Sequence, residues 1–192
     1  MNPYRSRVFS AIRSILGPHA PSHKALDFGS GDGWFSRKIQ EEGLATEVIS
    51  VDVKQRPHSL VDPLVYDGVN LPFENGSFDL VYAIDVLHHC PDPRQSLKEM
   101  LRCSRGLILL KDHNYCGTAG WLTLALLDEL GNRRFGIPSP HRYQRDWEWF
   151  PEIEAGGFAV EEIIHPAICH TGLLGWATNG LQFIGLWRRE PS

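Results

Sequence analysis

Apolar residues between Tyr4 and Leu16 fall at helical spacing, at Val8, Phe9, Ile12, Ile15 and Leu16, and Gly17-Pro18 interrupts the pattern. This predicts an amphipathic helix laid over a domain. Beyond it the pattern changes to short apolar runs separated by helix-like segments. ALDF (25–28) leads into a glycine-rich turn, and a helix is predicted from about Gly33 to Glu42, closed by Gly43. TEVISVD (46–52), PLVYD (63–67) and FDLVYAI (78–84) predict three further strands, the last strongly buried. PDPRQSLKEMLRCS (91–104) has a proline-rich start and then a helical pattern, and GLILLKD (106–112) predicts a fifth strand. Short apolar strands alternating with helices argue for a mostly parallel sheet with helices on both faces.

The character changes after Asp112. Residues His113 to Phe150 hold a predicted helix, WLTLALLDELGN, stopped at Gly131-Asn132, and then the irregular stretch RRFGIPSPHRYQ. A helix around Asp146 to Ala155 is expected next, with Asp146 as its cap. VEEIIH and LQFIGLWRR, separated by a loop rich in Gly and Thr, predict a final antiparallel strand pair. An insertion of this length between core elements suits a lid or a substrate loop, so 113–150 is expected to cap the acceptor side.

Composition narrows the classes. With 192 residues, 42% of them hydrophobic, the chain fits one domain over 1–192. A formal net charge of -4 gives no reason to expect a nucleic-acid partner. Cys90, Cys103, Cys116 and Cys169 show no paired spacing, and no secretory signal is read, so a reducing, cytoplasmic setting is expected; Cys90 and Cys103 read as small buried residues. The apolar runs are far shorter than the roughly 20 residues that cross a bilayer, so no integral membrane association is expected. Arg5, Arg7 and Arg13 are too few to make the first helix a membrane-surface element, and a packed helix is the simpler reading.

The chemistry concentrates in LDFGSGDG. A strand turning sharply into a helix gathers backbone amides at one point, and glycines let a ligand approach that backbone. A dinucleotide fingerprint would need its third glycine at position 34, where Trp34 stands. An NAD-dependent oxidoreductase is therefore the weaker reading, although Asp52 could hold a ribose in either case.

Taken with VISVD (48–52), YDGVNLPFENGSFDLVYAIDVLHHCPDP (66–93) and GLILL, this segment resembles the class I S-adenosylmethionine-dependent methyltransferases, particularly their small-molecule branch. The resemblance covers about the first three fifths of the chain. It implies a three-layer Rossmann-like α/β sandwich: a mostly parallel seven-stranded sheet, an antiparallel C-terminal strand and a helical insertion after the fifth strand. It implies S-adenosylmethionine as cofactor, with Gly29, Ser30, Gly31 and Gly33 under its methionine part and Asp27 near its ammonium. Asp52, followed by Val53, would take the ribose hydroxyls; Asp67 and Gly68 would read adenine; Asp85 would stand nearest the methyl-transfer site.

The resemblance makes methyl transfer to an O, N or C nucleophile of a small-molecule acceptor the expected reaction, by in-line displacement. A non-catalytic cofactor-binding module or partner subunit is the alternative. His88 and His113, at the ends of the fourth and fifth strands, are the candidate catalytic groups, since open α/β sheets bind ligands at that edge. His89, His141 and Tyr143 are the candidate acceptor contacts, whereas Trp147 and Phe150 read as core. His88, His89, Cys90 and Asp112 are residue types that suit zinc, but they lack a recognised spacing, and no metal is expected. The expected assembly is a monomer or homodimer.

Overall fold

The computed structural model describes residues 2–132 and 140–191. Helix α1 (Pro3–Leu16) is capped by the Asn2 side chain and ends at Gly17. Then follow β1 (Ser22–Phe28), α2 (Trp34–Glu41), β2 (Ala45–Asp52), β3 (Leu64–Val65), β4 (Phe78–Ile84), α3 (Pro93–Cys103) and β5 (Ser104–Tyr115). The second part comprises α4 (Thr118–Asn132), β6 (Gln144–Arg145), α5 (Phe150–Ala155), β7 (Phe158–Ile164), α6 (Gly172–Thr178) and β8 (Gln182–Arg189).

Seven strands line up in the order β3-β2-β1-β4-β5-β8-β7, and β6 pairs with the end of β5. All neighbours through β5 are parallel, while β8 runs antiparallel to both β5 and β7. The expected α/β sandwich is the observed one. Both faces are covered, and alternate strand residues separate cleanly between them. Val81, Ala83, Ile108 and Leu110 pack with α3 and α5 on one side. Leu80, Tyr82, Leu107 and Leu109 pack with α1 and Ile39 of α2 on the other. Burial of Val8, Ile12 and Ile15 against this second face makes α1 a packed layer element. No helix among the described residues is long and apolar enough to cross a membrane.

Several boundaries differ from expectation. Strand β5 continues to Tyr115, because β8 and β6 hydrogen-bond its extension, so His113 stands in the sheet and not in the insertion. Strand β3 is only two residues long. Helix α5 starts at Phe150, and Asp146 does not cap it: Asp146 has φ 48° and its carboxylate accepts from Arg145. The Gly- and Thr-rich stretch before β8 contains α6, a helix of seven residues that its glycines had concealed. Trp147 and Phe150 pack on the core as expected. Cys103 is buried, Cys90 half-buried, and all four cysteines are free. Phe135 and the rest of 133–139 lie outside the described residues.

Candidate active site

The sheet order reverses between β1 and β4, and the glycine turn lies at that point, at the carboxyl ends of the strands. Gly29, Gly31 and Gly33 all have left-handed backbone, with φ of 72°, 62° and 75°. A Cβ on Gly29 would come within 2.4 Å of Val86 Cγ1, so the turn is pressed against the segment leaving β4. The Gly29 and Ser30 amides donate to Val51 O, which fixes the turn to the end of β2. Trp34 opens α2 and meets Phe9 of α1 edge-on, which explains the bulky residue at the position a dinucleotide fold gives to glycine.

The carboxylates expected to serve a cofactor occupy three kinds of place. Asp52 Oδ2 accepts from the Gly31 amide at 2.9 Å, while Oδ1 receives only a long 3.4 Å bond from the Lys54 amide. That leaves Oδ1 with acceptor capacity at the turn. Asp67 holds its own loop by accepting from the Val69 and Asn70 amides, and Gly68 beside it lies against the exposed Val53. Asp27, expected near the cofactor's ammonium, has partners within the fold. Its side chain points under the turn, 3% exposed, and accepts from Ser36 of α2. Burial pushes its carboxyl up to about 7, although hydrogen bonds from Ser36 and Tyr82 oppose that rise.

These features fit an amino-acid-bearing nucleoside. Ser30 Oγ is buried without a hydrogen-bond partner among the described residues, Asp52 is bound to the same turn through Oδ2, and the Arg56 guanidinium lies 3.5 Å from where a Gly31 Cβ would stand. A carboxylate-bearing ligand has a ready cation in Arg56, and ribose hydroxyls have an acceptor in Asp52.

Asp85 follows β4 in a left-handed conformation with φ 56°. Its carboxylate pairs with Lys111, which is 0% exposed, and accepts from Tyr4 of α1 at 2.6 Å. Lys111 also donates to Gln182 Oε1 at 2.6 Å. Burial would raise the Asp85 carboxyl, but Lys111 and His113 outweigh it and hold it below the ordinary value.

Asp112 organises the next group. Its Oδ1 takes the His113 amide at 2.8 Å and lies 2.6 Å from His88 Nδ1 and 3.2 Å from His113 Nδ1; Oδ2 takes the Leu87 amide. Burial alone would raise this carboxyl, yet His88 and the bond from His113 keep it well below the ordinary range. His113 is moved down by burial and then by Lys111. Burial also pulls His88 down, but Asp112 and then Asp128 reverse the direction and leave it above the ordinary value. His89 falls to about 4 through burial and the neighbouring His88.

His88 therefore differs from its expected part. It is 1% exposed and flanked by Asp112 and Asp128, so it is a buried anchoring group, and His113 is left as the more accessible imidazole of the two. Tyr143, a candidate acceptor contact, is buried, and its hydroxyl donates to Asp128 of α4 at 2.6 Å. His141 stands beside it with φ 54° and its Nδ1 3.2 Å from the Tyr143 hydroxyl. Sequence reading passed over Lys111, Asp128, Tyr4 and Gln182. A lysine inside GLILLKD and an aspartate inside LALLDEL were the available signals, since buried charges require partners.

The comparisons agree with this geometry. Residues 26–108 match the methyltransferase domain family. An uncharacterized methyltransferase of Mycobacterium sp. (strain KMS) is 29% identical over 175 residues, which cover 86% of this chain. The chain spans 65% of that relative's length. The solved S-adenosylmethionine-dependent methyltransferase of Mesorhizobium loti has the same fold, with a TM-score of 0.66 and 17% identity over 95% of this chain and 98% of its own. The domain match, the relatives and the shared fold make this chain similar to the S-adenosylmethionine-dependent methyltransferases.

Proposed function

We propose that this protein methylates a small-molecule O, N or C nucleophile bound at the ends of β4 and β5, under α4. The observation that carries the reading is the Asp112 carboxylate, which fixes two imidazoles at the sheet edge beside Asp85. S-adenosylmethionine would be held by Asp52 and the Gly29–Gly33 turn, and when bound it would supply an electrophilic methyl group on a sulfonium, with the thioether as leaving group. The pair of Lys111 and Asp85, tied to Tyr4, closes α1 over the same edge and limits water. His113 accepts the proton that an O or N acceptor loses, and Asp112 fixes the ring for this task. A groove of about 330 Å³ lined by Tyr115, Gly117, Thr118, Trp121 and Arg145 opens at the end of β5 and supports entry of the acceptor there.

Calorimetry with S-adenosylmethionine, followed by a turnover screen against phenols, amines, thiols and carbon acids, tests the reading. Binding with turnover of one class is expected. Binding of the cofactor with no turnover in any class rejects the enzymatic reading in favour of a binding module. His113→Gln should then lower kcat by about 10²–10⁴-fold while leaving cofactor affinity unchanged, for an acceptor that must lose a proton.

A further inference from the structure

The turn after β4 and the cap helix α4 meet in a cluster that methyl transfer does not use. His88 and His89 stand on a 3₁₀ turn, Leu87–His89, and Asp128 comes from α4. One ligand atom from each of these three lies within 4.8 Å of the others. His88 Nε2 and Asp128 Oδ2 are 3.8 Å apart. That is too long for a hydrogen bond. Two ligands of one tetrahedral ion with bonds of about 2.1 Å stand about 3.4 Å apart, so a small closing motion would bring both onto one ion.

The supporting groups point the same way. Asp112, 2.6 Å from His88 Nδ1, keeps the proton on that nitrogen, so the lone pair of Nε2 faces Asp128. The Tyr143 hydroxyl donates to the same Oδ2 at 2.6 Å and orients that carboxylate. An imidazole backed by a carboxylate, and a carboxylate held by a further donor, are the outer partners that metal ligands characteristically have. His89 Nδ1 is buried and has no hydrogen-bond partner among the described residues, a state that requires an account. The rings of His88 and His89 are 4.1 Å apart, close enough to serve one ion.

We infer that His88, His89 and Asp128 form a site for one divalent transition-metal ion of the zinc class, which joins the cap helix to the edge of the sheet. Two imidazoles and one carboxylate leave a fourth position for water or another donor. The Asp128 side chain, 12% exposed against 1% for His88, marks the side from which an ion enters. Sequence spacing connects His88 and His89 but not Asp128, which lies 39 positions beyond His89 and on another element.

The test is metal binding to the whole chain, stripped with a chelator and titrated with Co²⁺ alone and then with Zn²⁺. One ion per chain is expected, with a visible Co²⁺ band that Zn²⁺ removes. His89→Ala and Asp128→Asn should each weaken binding more than about 100-fold, since loss of an outer partner alone costs about 10–100-fold. Tyr143→Phe should weaken it about 10-fold, and Cys116→Ser should change nothing. Fewer than one ion per chain, wild-type affinity in either ligand variant, or loss of binding in Cys116→Ser overturns the site. X-ray absorption on the Zn²⁺-loaded wild type needs no variant: imidazole and oxygen scattering supports the site, and sulfur ligation rejects it. Calorimetry of the metal-free protein with S-adenosylmethionine reports separately on the methyltransferase reading.

Discussion

The glycine turn and the cap both stand at the carboxyl edge of the sheet, but different distances along the chain build them. In the turn, Gly29 to Trp34 are consecutive, and their partners Val51, Asp52 and Val86 end the strands on either side of β1. In the cap, Asp128 and Tyr143 meet His88 only because β5 runs five residues past its apolar run and β6 pairs with it. A site made by local backbone geometry tolerates little change at the backbone. A site made by side chains from distant elements tolerates backbone change but depends on each pair.

Two glycines put that difference to the sharpest test. Gly29→Ala combines left-handed strain with a Cβ 2.4 Å from Val86, and about 2–5 kcal/mol of destabilisation is expected. Differential scanning calorimetry should find the melting temperature lowered by about 5–15 °C, with cofactor binding lost. Gly172→Ala in the loop before β8 has φ 64° but open space around its Cβ, so only the strain of about 1–2 kcal/mol applies. Equal losses in the two variants would break the comparison.

Asp52→Ala comes next. It removes the acceptor that faces the turn, and hydrogen bonds to a charged group contribute about 1.5–3 kcal/mol each. S-adenosylmethionine affinity should fall by about 100-fold or more in calorimetry, with the melting temperature shifted only by a few degrees. Unchanged affinity would remove Asp52 from the cofactor site.

Local origin also explains what was legible. The helix stop at Gly17, the acid ending β2 and the glycine turn each depend on neighbours in sequence, so pattern and resemblance placed them. The extension of β5 could not be read, because KDHNY is polar and is held in the sheet by β8 and β6. Helix α6 hides in GLLGWAT, whose glycines signal a loop. His88 was correctly placed at the end of β4, but its burial depends on Asp128, which no local signal connects to it. Asp27 is expected near the cofactor's ammonium, and its contact with Ser36 of α2 could not be read because it depends on how β1 sits between β2 and β4.

Asp27 gives the turn a pH signature of its own. Its folded carboxyl titrates at about 7 against an ordinary 3.8, so between those values the folded chain holds a proton that the unfolded chain has released. The contribution to stability is fully present below about pH 4 and is lost as pH rises through about 7. About three units correspond to about 4 kcal/mol at most. Urea unfolding of the cofactor-free protein at pH 5 and pH 8 should show a larger fall for wild type than for Asp27→Asn. Parallel curves for the two proteins would mean that Asp27 keeps its ordinary titration.

The smallest effect is expected where the two regions touch at the surface. Arg94 of α3 pairs with Glu148 at 3.0 Å and also with Glu152 of α5, and its side chain is 53% exposed. Exposed pairs of this kind contribute about 0–1 kcal/mol, because water screens them and two long side chains must be held still. Arg94→Ala should lower the melting temperature by less than about 4 °C and leave cofactor affinity unchanged in calorimetry. A larger loss, or weaker cofactor binding, would mean that the cap is coupled to the turn through α3, so that the two regions do not respond independently. The expected small effect instead leaves the buried contacts of His88 with Asp112, Asp128 and Tyr143 as the link between the sheet edge and the cap.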